Sequence, residues 1–434
     1  MDGTHADEPA PSRSRRAFFS DHPDRAAAQD EIHARPISPI VAPARVRRVV
    51  FLLPREPDAG RAAAERLAAW CRTNGRPGPS PDLRRFSYRA GERQVVWELH
   101  NEFVTFTWTG RADDAEPWPD TIGLEMETEA GNSVGLATRV DLLDLATIPV
   151  QAIAGFDGLH LCRSVIEEGR AEIATDFTID AAGYTRFEFA AGQLGPTLTG
   201  IIVRRILEIE TYRVLSLIGI PLSRAVSPAI GALERRLAEV LAEIGRASTT
   251  ADNQAALARL HQLQIEAEAL AHETRYRFAA SRAYGRILAR RLDSMGETPS
   301  GEFRSLKRYL THRLDPALWT FESIQRRQEA LNEQMANTTA MLNARIGIEV
   351  QAQTQTILAT MSQTTQSQLR LQTTVEGLST IAISYYALQI ISTVLKGVYD
   401  GTEHQKALIL AGLAPLVLLL TWLGIRRIHR RHKH

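Results

Sequence analysis

The chain has very few cysteines. Only two, Cys71 and Cys162, occur in 434 residues. Such a low content argues against a disulfide-supported extracellular protein and is typical of a reducing compartment. Residues 1–20 also lack the continuous apolar core of a secretory signal, since they are rich in Arg, Pro, Ser and acidic residues. We therefore expect a disordered N-terminal tail over 1–20, on the cytoplasmic side.

An excess of charge of either sign is also lacking. The 51 Lys and Arg residues nearly balance the 50 Asp and Glu residues, which gives a net charge of +1. A polyanion-binding protein usually needs a basic face, and none stands out, so we expect no nucleic-acid partner. The sequence contains no phosphate-binding Gly-rich loop, no Gly-x-Ser-x-Gly elbow and no zinc-hydrolase motif. We therefore expect no enzyme activity, and no motif in the sequence identifies a cofactor.

Charge is absent from two stretches near the C-terminus. Residues 377–395 and 407–425 each span 19 positions without Asp, Glu, Lys, Arg or His. At about 1.5 Å per helical residue, each stretch just crosses a hydrocarbon core of roughly 30 Å. A water-soluble helix of that length would normally show a polar face. The pattern predicts a two-span transmembrane hairpin within residues 376–434, with the lipid bilayer as a partner.

The charges that flank these stretches predict the orientation. The tail 426–434 carries five fixed positive charges, whereas Lys396 and Lys406 in the loop balance Asp400 and Glu403. Cytoplasmic flanks are enriched in Lys and Arg, so the tail should be cytoplasmic. Two crossings return the chain to the side from which it came. Both termini should therefore be cytoplasmic.

The first half of the soluble region carries mixed signals. Short β-like runs bounded by Gly, Pro and Asp alternate with helical stretches such as 62–72. The runs are 47–53, 94–99, 103–108, 147–153, 171–178 and 184–189. This mixture predicts an α+β or α/β cytoplasmic domain over residues 21–200.

Helical signals dominate after residue 200. They cover 204–217, 228–245 behind a Ser227 cap, and 253–292. No proline occurs between Pro316 and Pro415, so 317–395 can form one helix that enters the membrane, with Gly347 as its likeliest interruption. We therefore expect a long-helix stalk over residues 201–375.

Apolar residues recur at eleven-residue spacing in this stalk. They are Leu331 and Leu342; Met335, Ile346 and Ile357; and Val350 and Met361. An eleven-residue repeat favours nearly straight or slightly right-handed packing of helices. This face can pack either against the chain's own helices near 253–292 or against a second subunit, which would make the protein a homo-oligomer.

Polar residues of the first predicted span fall on one side. Tyr385, Gln389 and Ser392 lie within about 60° on a helical wheel, and polar groups in hydrocarbon need partners. They form either a pore face in an oligomer or interhelical hydrogen bonds in a two-helix anchor. Asp400 and Glu403 in the loop could concentrate an inorganic cation at the entrance, or could simply be solvated.

The layout of a cytoplasmic domain, long helices and two terminal spans resembles that of CorA-type magnesium channels. Those channels carry a Gly-Met-Asn signature where the first span meets the loop. Residues 397–401 read Gly-Val-Tyr-Asp-Gly here, which keeps the glycines and an aromatic residue but lacks the Met and the Asn. This departure puts magnesium selectivity in doubt.

Local strings along the chain carry a second resemblance. The strings are His22-Pro23, Glu-Ile-His-Ala-Arg-Pro at 31–36, Trp-Glu-Leu-His-Asn-Glu-Phe at 97–103, Leu-Glu-Ile-Glu-Thr-Tyr-Arg at 207–213, Glu-Gly-Leu-Ser at 376–379, and Tyr385-Tyr386. They resemble those of the bacterial membrane-anchored proteins with domain of unknown function 3422. The resemblance implies a protein of the bacterial cytoplasmic (inner) membrane and supplies no activity.

Four residues of these strings could form a site. His33, Glu98, His100 and Glu102 carry imidazoles and carboxylates, which suit metal binding or acid–base chemistry. No closely spaced ligand pair supports a metal site. In an extended strand, Glu98, His100 and Glu102 would share one face, and an exposed polar strand face is the alternative.

The sequence thus predicts a membrane-anchored protein that self-associates and has a large cytoplasmic domain. By its layout, the expected function is CorA-like transport of an ion. The alternative is a non-transporting scaffold, or a module that binds a ligand or another protein.

Overall fold

The computed structural model describes residues 22, 24–25, 37–80, 83–90, 93–113, 122–398 and 402–431. The predicted tail 1–20, His33 and Asp400 lie outside these residues. In the described chain, a nine-stranded sheet is followed by long helices, so the fold is α+β.

The sheet is mostly antiparallel. Its strand order is β2-β3-β4-β1-β5-β8-β7-β6-β9, and the β5–β8 pair is the one parallel pairing among the described strands. The strands are β1 (Ala44–Leu52), β2 (Arg85–Ala90), β3 (Arg93–Leu99), β4 (Phe103–Arg111), β5 (Ser133–Leu143), β6 (Cys162–Ile166), β7 (Ala171–Thr175), β8 (Thr185–Ala190) and β9 (Thr298–Pro299). Because β9 comes from the helical region, that region contributes to the edge of the sheet.

Seven helices are described. They are α1 (Ala59–Thr73), α2 (Glu125–Glu129), α3 (Pro196–Leu217), α4 (Ile220–Arg246), α5 (Thr250–Ser294), α6 (Leu306–Val398) and α7 (Glu403–Arg431). Helix α1 is rich in Ala, and its buried positions Ala63, Ala64, Leu67 and Cys71 lie on one face, as in an amphipathic helix.

Each face of the sheet is covered by different helices. On β1, Val49 and Phe51 pack with Ala63 and Leu67 of α1. The alternate residue Val46 packs with α3 on the opposite face. Side chains along a strand point alternately to the two faces, so β1 contributes to both cores. We refer to these faces as the α1 face and the α3 face.

Most predicted elements form, with three differences. The stretch 147–153 is not a strand but contains a short 3₁₀ turn, Val150–Ile153, because Pro149 has no N–H for a strand ladder and the Ile148 N–H donates to Glu172. Helix α4 starts eight residues before Pro228, so Ser227 is not its cap. Helix α6 continues through Gly347 without interruption.

The described chain forms two compact units. One comprises Met1–Ala238 and Gln262–Gln334 and contains the sheet, and the other comprises Glu239–His261 and Met335–His434. In the second unit, Leu342 is fully buried, while Ile357 and Met361 are exposed. Arg345 donates to the carbonyl oxygen of Ala247 in the same unit. The eleven-residue face is thus covered by the chain's own helices at Leu342 and is exposed farther along.

Within the described residues, three helical stretches are long and apolar enough to cross a membrane, rather than the two that the sequence predicted. They are Pro196–Arg246, Leu306–Val398 and Glu403–Ile425. In the first, 33% of the most apolar window is buried, against 6% in the last. Ile202, Ile206 and Ile209 of α3 belong to the core on the sheet. Packing within the α+β unit therefore accounts for these residues of α3, while most of the apolar window of Pro196–Arg246 is not buried.

Candidate ligand cleft

The α3 face of the sheet changes character from one edge to the other. On β5, β8 and β7 it presents Val140, Phe187 and Ile173, which form one core with α3, α5 and α6. The strand register continues this face across β4, β3 and β2 with polar residues. Arg48 stands opposite Thr107, Val46 opposite Thr109, Thr109 opposite Gln94, Thr105 opposite Glu98, and Glu98 opposite Arg85. This half of the face is not an apolar core.

A cleft lies between this polar half and α3. Its cavity volume is about 80 Å³, and it is partly open to solvent. Its floor, formed by the sheet, is mixed and carries Arg48, Gln94 and Thr109 together with Val46 and Val96. Its other lining is apolar, and it is formed by Ile37, Ile40, Val203 and Leu207.

One wall depends on a glycine. The Ile40 N–H donates to the carbonyl oxygen of Pro196 at 3.0 Å, which holds the segment 37–40 against the start of α3. A Cβ on Gly200 would lie 2.2 Å from the carbonyl oxygen of Ser38. This approach of the two backbones is possible only because residue 200 has no side chain.

Arg48 is the most buried charged group of the cleft. Its side chain is 8% exposed, and its Nε donates to the Thr107 hydroxyl at 2.8 Å. Burial lowers the pKa of Arg48, and Glu98 and Glu208 partly offset this effect. The Glu98 carboxylate lies 3.7 Å from Nη2 of Arg48 and 3.6 Å from Nε of Arg85. Arg48 is thus a desolvated cation at the floor of the cleft.

Glu98 remains ionised in this setting. Burial acts to raise its pKa, but Arg48, His100, Arg85 and Arg204 outweigh burial, so the pKa of Glu98 lies below its usual value. The described residues that line the cleft include the three arginines 48, 85 and 204 and one carboxylate, that of Glu98. Glu98 thus lies close to three guanidiniums, those of Arg48, Arg85 and Arg204.

A smaller pocket adjoins the cleft and shares Arg48, Glu98 and Arg204 with it. Here Glu208 of α3 accepts from Arg204 at 3.0 Å and pairs with Arg291 of α5 at 2.6 Å. The ring of His100 stacks on Phe103, with centroids 4.2 Å apart. The pairing with Glu208 fixes Arg204 at the rim of the cleft.

The structure brings together two residues of the predicted cluster. Glu98 and His100 both line the adjoining pocket, whereas Glu102 pairs with Arg277 of α5 at 2.7 Å, and His33 lies outside the described residues. Strand β3 ends at Leu99, so the three residues do not share one strand. No group of three or more His, Cys, Asp or Glu residues in the described chain could hold a metal ion.

The polar residues of the hairpin lie on two different faces. The hydroxyls of Ser384 in α6 and Thr421 in α7 are 2.5 Å apart and hydrogen-bonded, and Ser384 is 2% exposed. Tyr385 is 63% exposed, Gln389 is exposed and Ser392 is half-buried. In the loop region, Glu403 is exposed. The α6–α7 contact therefore uses Ser384, and the predicted face of Tyr385 and Gln389 is left open.

Sequence reasoning missed the three arginines of the cleft. Arg48 lies between Val46 and Val49 in strand β1, which is buried on both of its faces. A cation in such a strand needs a special environment, and this was the signal that could have identified it.

Comparison with known proteins places the chain in a family. A family model described as "Protein of unknown function (DUF3422)" matches residues 20–432. No curated protein and no solved structure matches the chain. The family match confirms the resemblance carried by the local strings and assigns no activity. Because the match spans almost the entire sequence, this chain belongs to the DUF3422 family of proteins of unknown function.

Proposed function

We propose that this protein is a membrane-anchored binding module, whose α+β unit takes up a small ligand in the cleft between α3 and the polar half of the sheet. The observation that carries the proposal is the cleft itself. Buried polar groups in proteins are usually covered and fully paired, whereas Arg48 lies at the floor of an accessible, partly apolar cavity. Concave sites of this kind are the usual place for a ligand.

Membrane anchoring is supported by the exposure of the C-terminal helices. Leu416, Leu419 and Leu420 of α7 are each more than half exposed in the single chain. A continuous apolar surface of this kind is unfavourable in water and needs a lipid or protein environment. We place both termini in the cytoplasm of a bacterium, since the tail after residue 425 is strongly basic. Protease accessibility of tagged termini in spheroplasts tests this orientation, and an external C-terminus would contradict it.

The binding function is tested by filling the cleft. Thr109→Trp places a large side chain among the lining residues, and Ser87→Trp places one on an exposed position of β2 that is not among them. We expect compounds that stabilise the full chain in nanodiscs against heat to lose their effect in Thr109→Trp and to keep it in Ser87→Trp. If the same compounds stabilise both variants equally, the cleft is not the binding site.

Ion transport is the second candidate function, and a different observation favours it. Tyr385 and Gln389 lie away from the Ser384–Thr421 contact. Within a bilayer these polar groups need partners, which the first spans of further copies could supply around a path for an inorganic cation. The combined change of Tyr385, Gln389 and Ser392 to Leu tests this function. Cation flux into proteoliposomes that persists after this change would exclude a path along these residues.

The copy number separates the two functions further. Native mass spectrometry of the protein in nanodiscs gives the number of chains in the assembly. A closed ring of four or more chains would favour transport, because an axial path needs several first spans around it. A monomer or dimer would leave no axial path and would favour the binding module.

A further inference from the structure

We propose that a second cavity of the α+β unit binds a small organic molecule with two or more anionic groups, through the guanidiniums of Arg55, Arg61 and Arg84. We call this cavity the arginine groove. It is lined by residues 52–57, 59–61, 84, 99–102, 276 and 277. Among the described residues none lines both the groove and the cleft, so the groove is a separate site and goes beyond the proposed function.

The size of the groove suits a small molecule. Its cavity volume is about 740 Å³. Ligand sites usually have volumes of roughly 300–1,000 Å³. The groove lies between the end of β1, the start of α1, the β3–β4 connection and α5. Hydrogen bonds hold this frame together, since the Leu53 N–H donates to the carbonyl oxygen of Glu102 at 2.9 Å and Arg277 of α5 donates to the carboxylate of Glu102.

Three guanidiniums of the groove are unpaired. Within the described residues, the side chains of Arg55, Arg61 and Arg84 form no hydrogen bond and no ion pair. The fourth arginine of the lining, Arg277, is instead neutralised by Glu102 through two hydrogen bonds of 2.7 and 3.0 Å. The groove thus contains one satisfied ion pair and three guanidiniums whose N–H donors are turned to solvent or to a ligand.

The carboxylates of the groove do not balance these cations. Besides the paired Glu102, the carboxylate of the described lining is that of Glu56, which is exposed. A surface with an excess of one charge attracts ligands of the opposite charge. Each guanidinium has five N–H donors in a planar fork that matches a carboxylate or a phosphate. Because three guanidiniums exceed one carboxylate by two charges, we infer at least two anionic groups on the ligand.

Apolar surface lies beside the cations. Leu53 and Ala59 are buried and Leu99 is half-buried, and all three line the groove. The ring of Tyr276 is 46% exposed and lies under the guanidinium of Arg55, whose central carbon is 5.2 Å from the ring centroid. An inorganic anion would leave this apolar surface in contact with water. A ligand with anionic groups on an apolar body uses both kinds of surface, as in most small-molecule sites.

The test uses the full chain in phosphatidylcholine nanodiscs and a series of benzene derivatives that differ in charge. Benzamide is neutral, and benzoate, benzene-1,3-dicarboxylate and benzene-1,3,5-tricarboxylate carry one, two and three carboxylates. In 3-carboxyphenyl phosphate a phosphate replaces one carboxylate, and propane-1,2,3-tricarboxylate lacks the ring. Affinities are measured by calorimetry against empty nanodiscs. We expect each added carboxylate to tighten binding by about threefold, because an ion pair at an exposed site contributes up to about that factor.

Matched arginine variants locate the binding. Arg55→Gln, Arg61→Gln and Arg84→Gln should each weaken binding of the benzene tricarboxylate by about threefold, and the triple variant should bind it no more tightly than benzamide. The controls are Arg72→Gln in α1 and Arg89→Gln in β2, which replace exposed arginines outside the groove and should change the affinity by less than about twofold. All five arginines are exposed, so each variant should fold, and thermal unfolding without ligand checks this.

Each outcome decides one part of the inference. A difference in affinity between 3-carboxyphenyl phosphate and the benzene dicarboxylate supports it and identifies the preferred anionic group. Equal affinity for benzamide and the benzene tricarboxylate overturns the anion assignment, and equal affinity for the two tricarboxylates overturns the apolar part. Equal losses in groove and control variants, or no binding of any probe, overturn the site.

The variant Thr109→Trp separates this site from the cleft. Thr109 lines the cleft and not the groove, so filling the cleft should leave the affinity for the benzene tricarboxylate unchanged. Loss of binding in Thr109→Trp would place the probes in the cleft and overturn the inference. If the groove fails while Thr109→Trp still abolishes the heat stabilisation by other compounds, the proposed function of the cleft stands.

Discussion

Arg277 of α5 holds Glu102, the residue just before β4, through two hydrogen bonds of 2.7 and 3.0 Å. Both side chains are almost entirely buried. Tyr276 and Tyr284 of α5 lie near the Glu102 carboxylate, which together with burial raises the pKa of each tyrosine. The Glu102 carboxylate therefore joins the β3–β4 connection to α5, although Glu102 and Arg277 are 175 positions apart in the sequence.

Removing this guanidinium should destabilise the α+β unit strongly. Arg277→Ala leaves a buried carboxylate with only the two tyrosines, and the loss of one partner of a buried ion pair costs about 3 kcal/mol. We expect the melting temperature of the full chain in nanodiscs to fall by about 5–10 °C. The control is Arg275→Ala on the same helix, which removes an exposed pair with Glu268 and should cost less than about 1 kcal/mol. Equal effects of the two changes would contradict the importance of Glu102.

Gly200 should be irreplaceable at the cleft wall. In Gly200→Ala the new methyl group would meet the Ser38 carbonyl oxygen, so the segment 37–40 must move away from α3. Such overpacking costs about 1–3 kcal/mol and should also weaken ligand binding, because the wall moves with the segment. Thermal unfolding without ligand measures the first effect, and the heat stabilisation by compounds that bind the wild-type cleft measures the second.

Gly231→Ala in α4 is the matched control for this change. There the nearest atoms are guanidinium nitrogens at 3.7 and 3.8 Å, so the methyl group fits. Alanine in a helix interior should stabilise the protein by up to about 1 kcal/mol. If both glycine changes lowered the melting temperature equally, contact with Ser38 would not be the cause.

Elements marked by a pattern within their own residues could be predicted from the sequence, whereas elements that depend on distant partners could not. The alternating runs 94–99 and 103–108 correspond to β3 and β4. The lack of proline after Pro316 permitted a continuous helix over 317–395, but the expected interruption at Gly347 does not occur. Strand β5 was missed because polar residues interrupt it. Asp141 in β5 is paired with Arg45 of β1 at 2.6 Å, a partner 96 positions away. A local pattern cannot show such a pair.

The candidate site was harder to predict for the same reason. Glu98 was among the predicted residues, but its cleft is built from four separate parts of the chain: the segment 37–40, β1, the β2–β4 strands and α3. Arg48 and Arg204 are 156 positions apart and meet only through the register of the sheet and the packing of α3. The proximity of these guanidiniums is a property of the folded assembly, and the order of residues in the sequence does not show it.

Glu188 should make the stability of the α+β unit depend on pH. Burial raises its pKa to about 7, with Arg186 opposing and the neighbouring Asp141 adding to the shift. Since the folded state favours the protonated carboxyl, the stabilisation from this group is fully present below about pH 4.5 and is lost as the pH rises to about 7. Ionised Glu188 is thus the less favourable form in the folded protein.

The change Glu188→Gln tests this dependence. The amide imitates the protonated carboxyl, so the variant should match the wild type near pH 5 and exceed it near pH 8. The difference near pH 8 should be no more than about 3 kcal/mol, because one pKa unit corresponds to about 1.4 kcal/mol. Melting temperatures at the two pH values measure it. A variant that is less stable than the wild type near pH 8 would show that pairing with Arg186 outweighs burial.

The contact between Ser384 and Thr421 should stabilise the α6–α7 hairpin by a modest amount. Each hydroxyl also lies within hydrogen-bond distance of a carbonyl oxygen of its own helix, Ser384 of Thr380 and Thr421 of Val417. Whichever hydroxyl donates across the contact can therefore donate to its own helix when the other is removed. Hydrogen bonds between membrane helices contribute about 0.6 kcal/mol on average. A double-mutant cycle of Ser384→Ala and Thr421→Val in lipid nanodiscs should give a coupling energy of this order.

Gln389→Leu separates the two faces of the first span in the same assay. Gln389 lies outside the Ser384–Thr421 contact, so its replacement should leave the coupling energy between those two residues unchanged. If copies of the chain associate through the face of Tyr385 and Gln389, the same change should lower the mass of the assembly measured in nanodiscs. Loss of the Ser384–Thr421 coupling in Gln389→Leu would mean that the two faces are not independent, and that the hairpin packs differently in the bilayer.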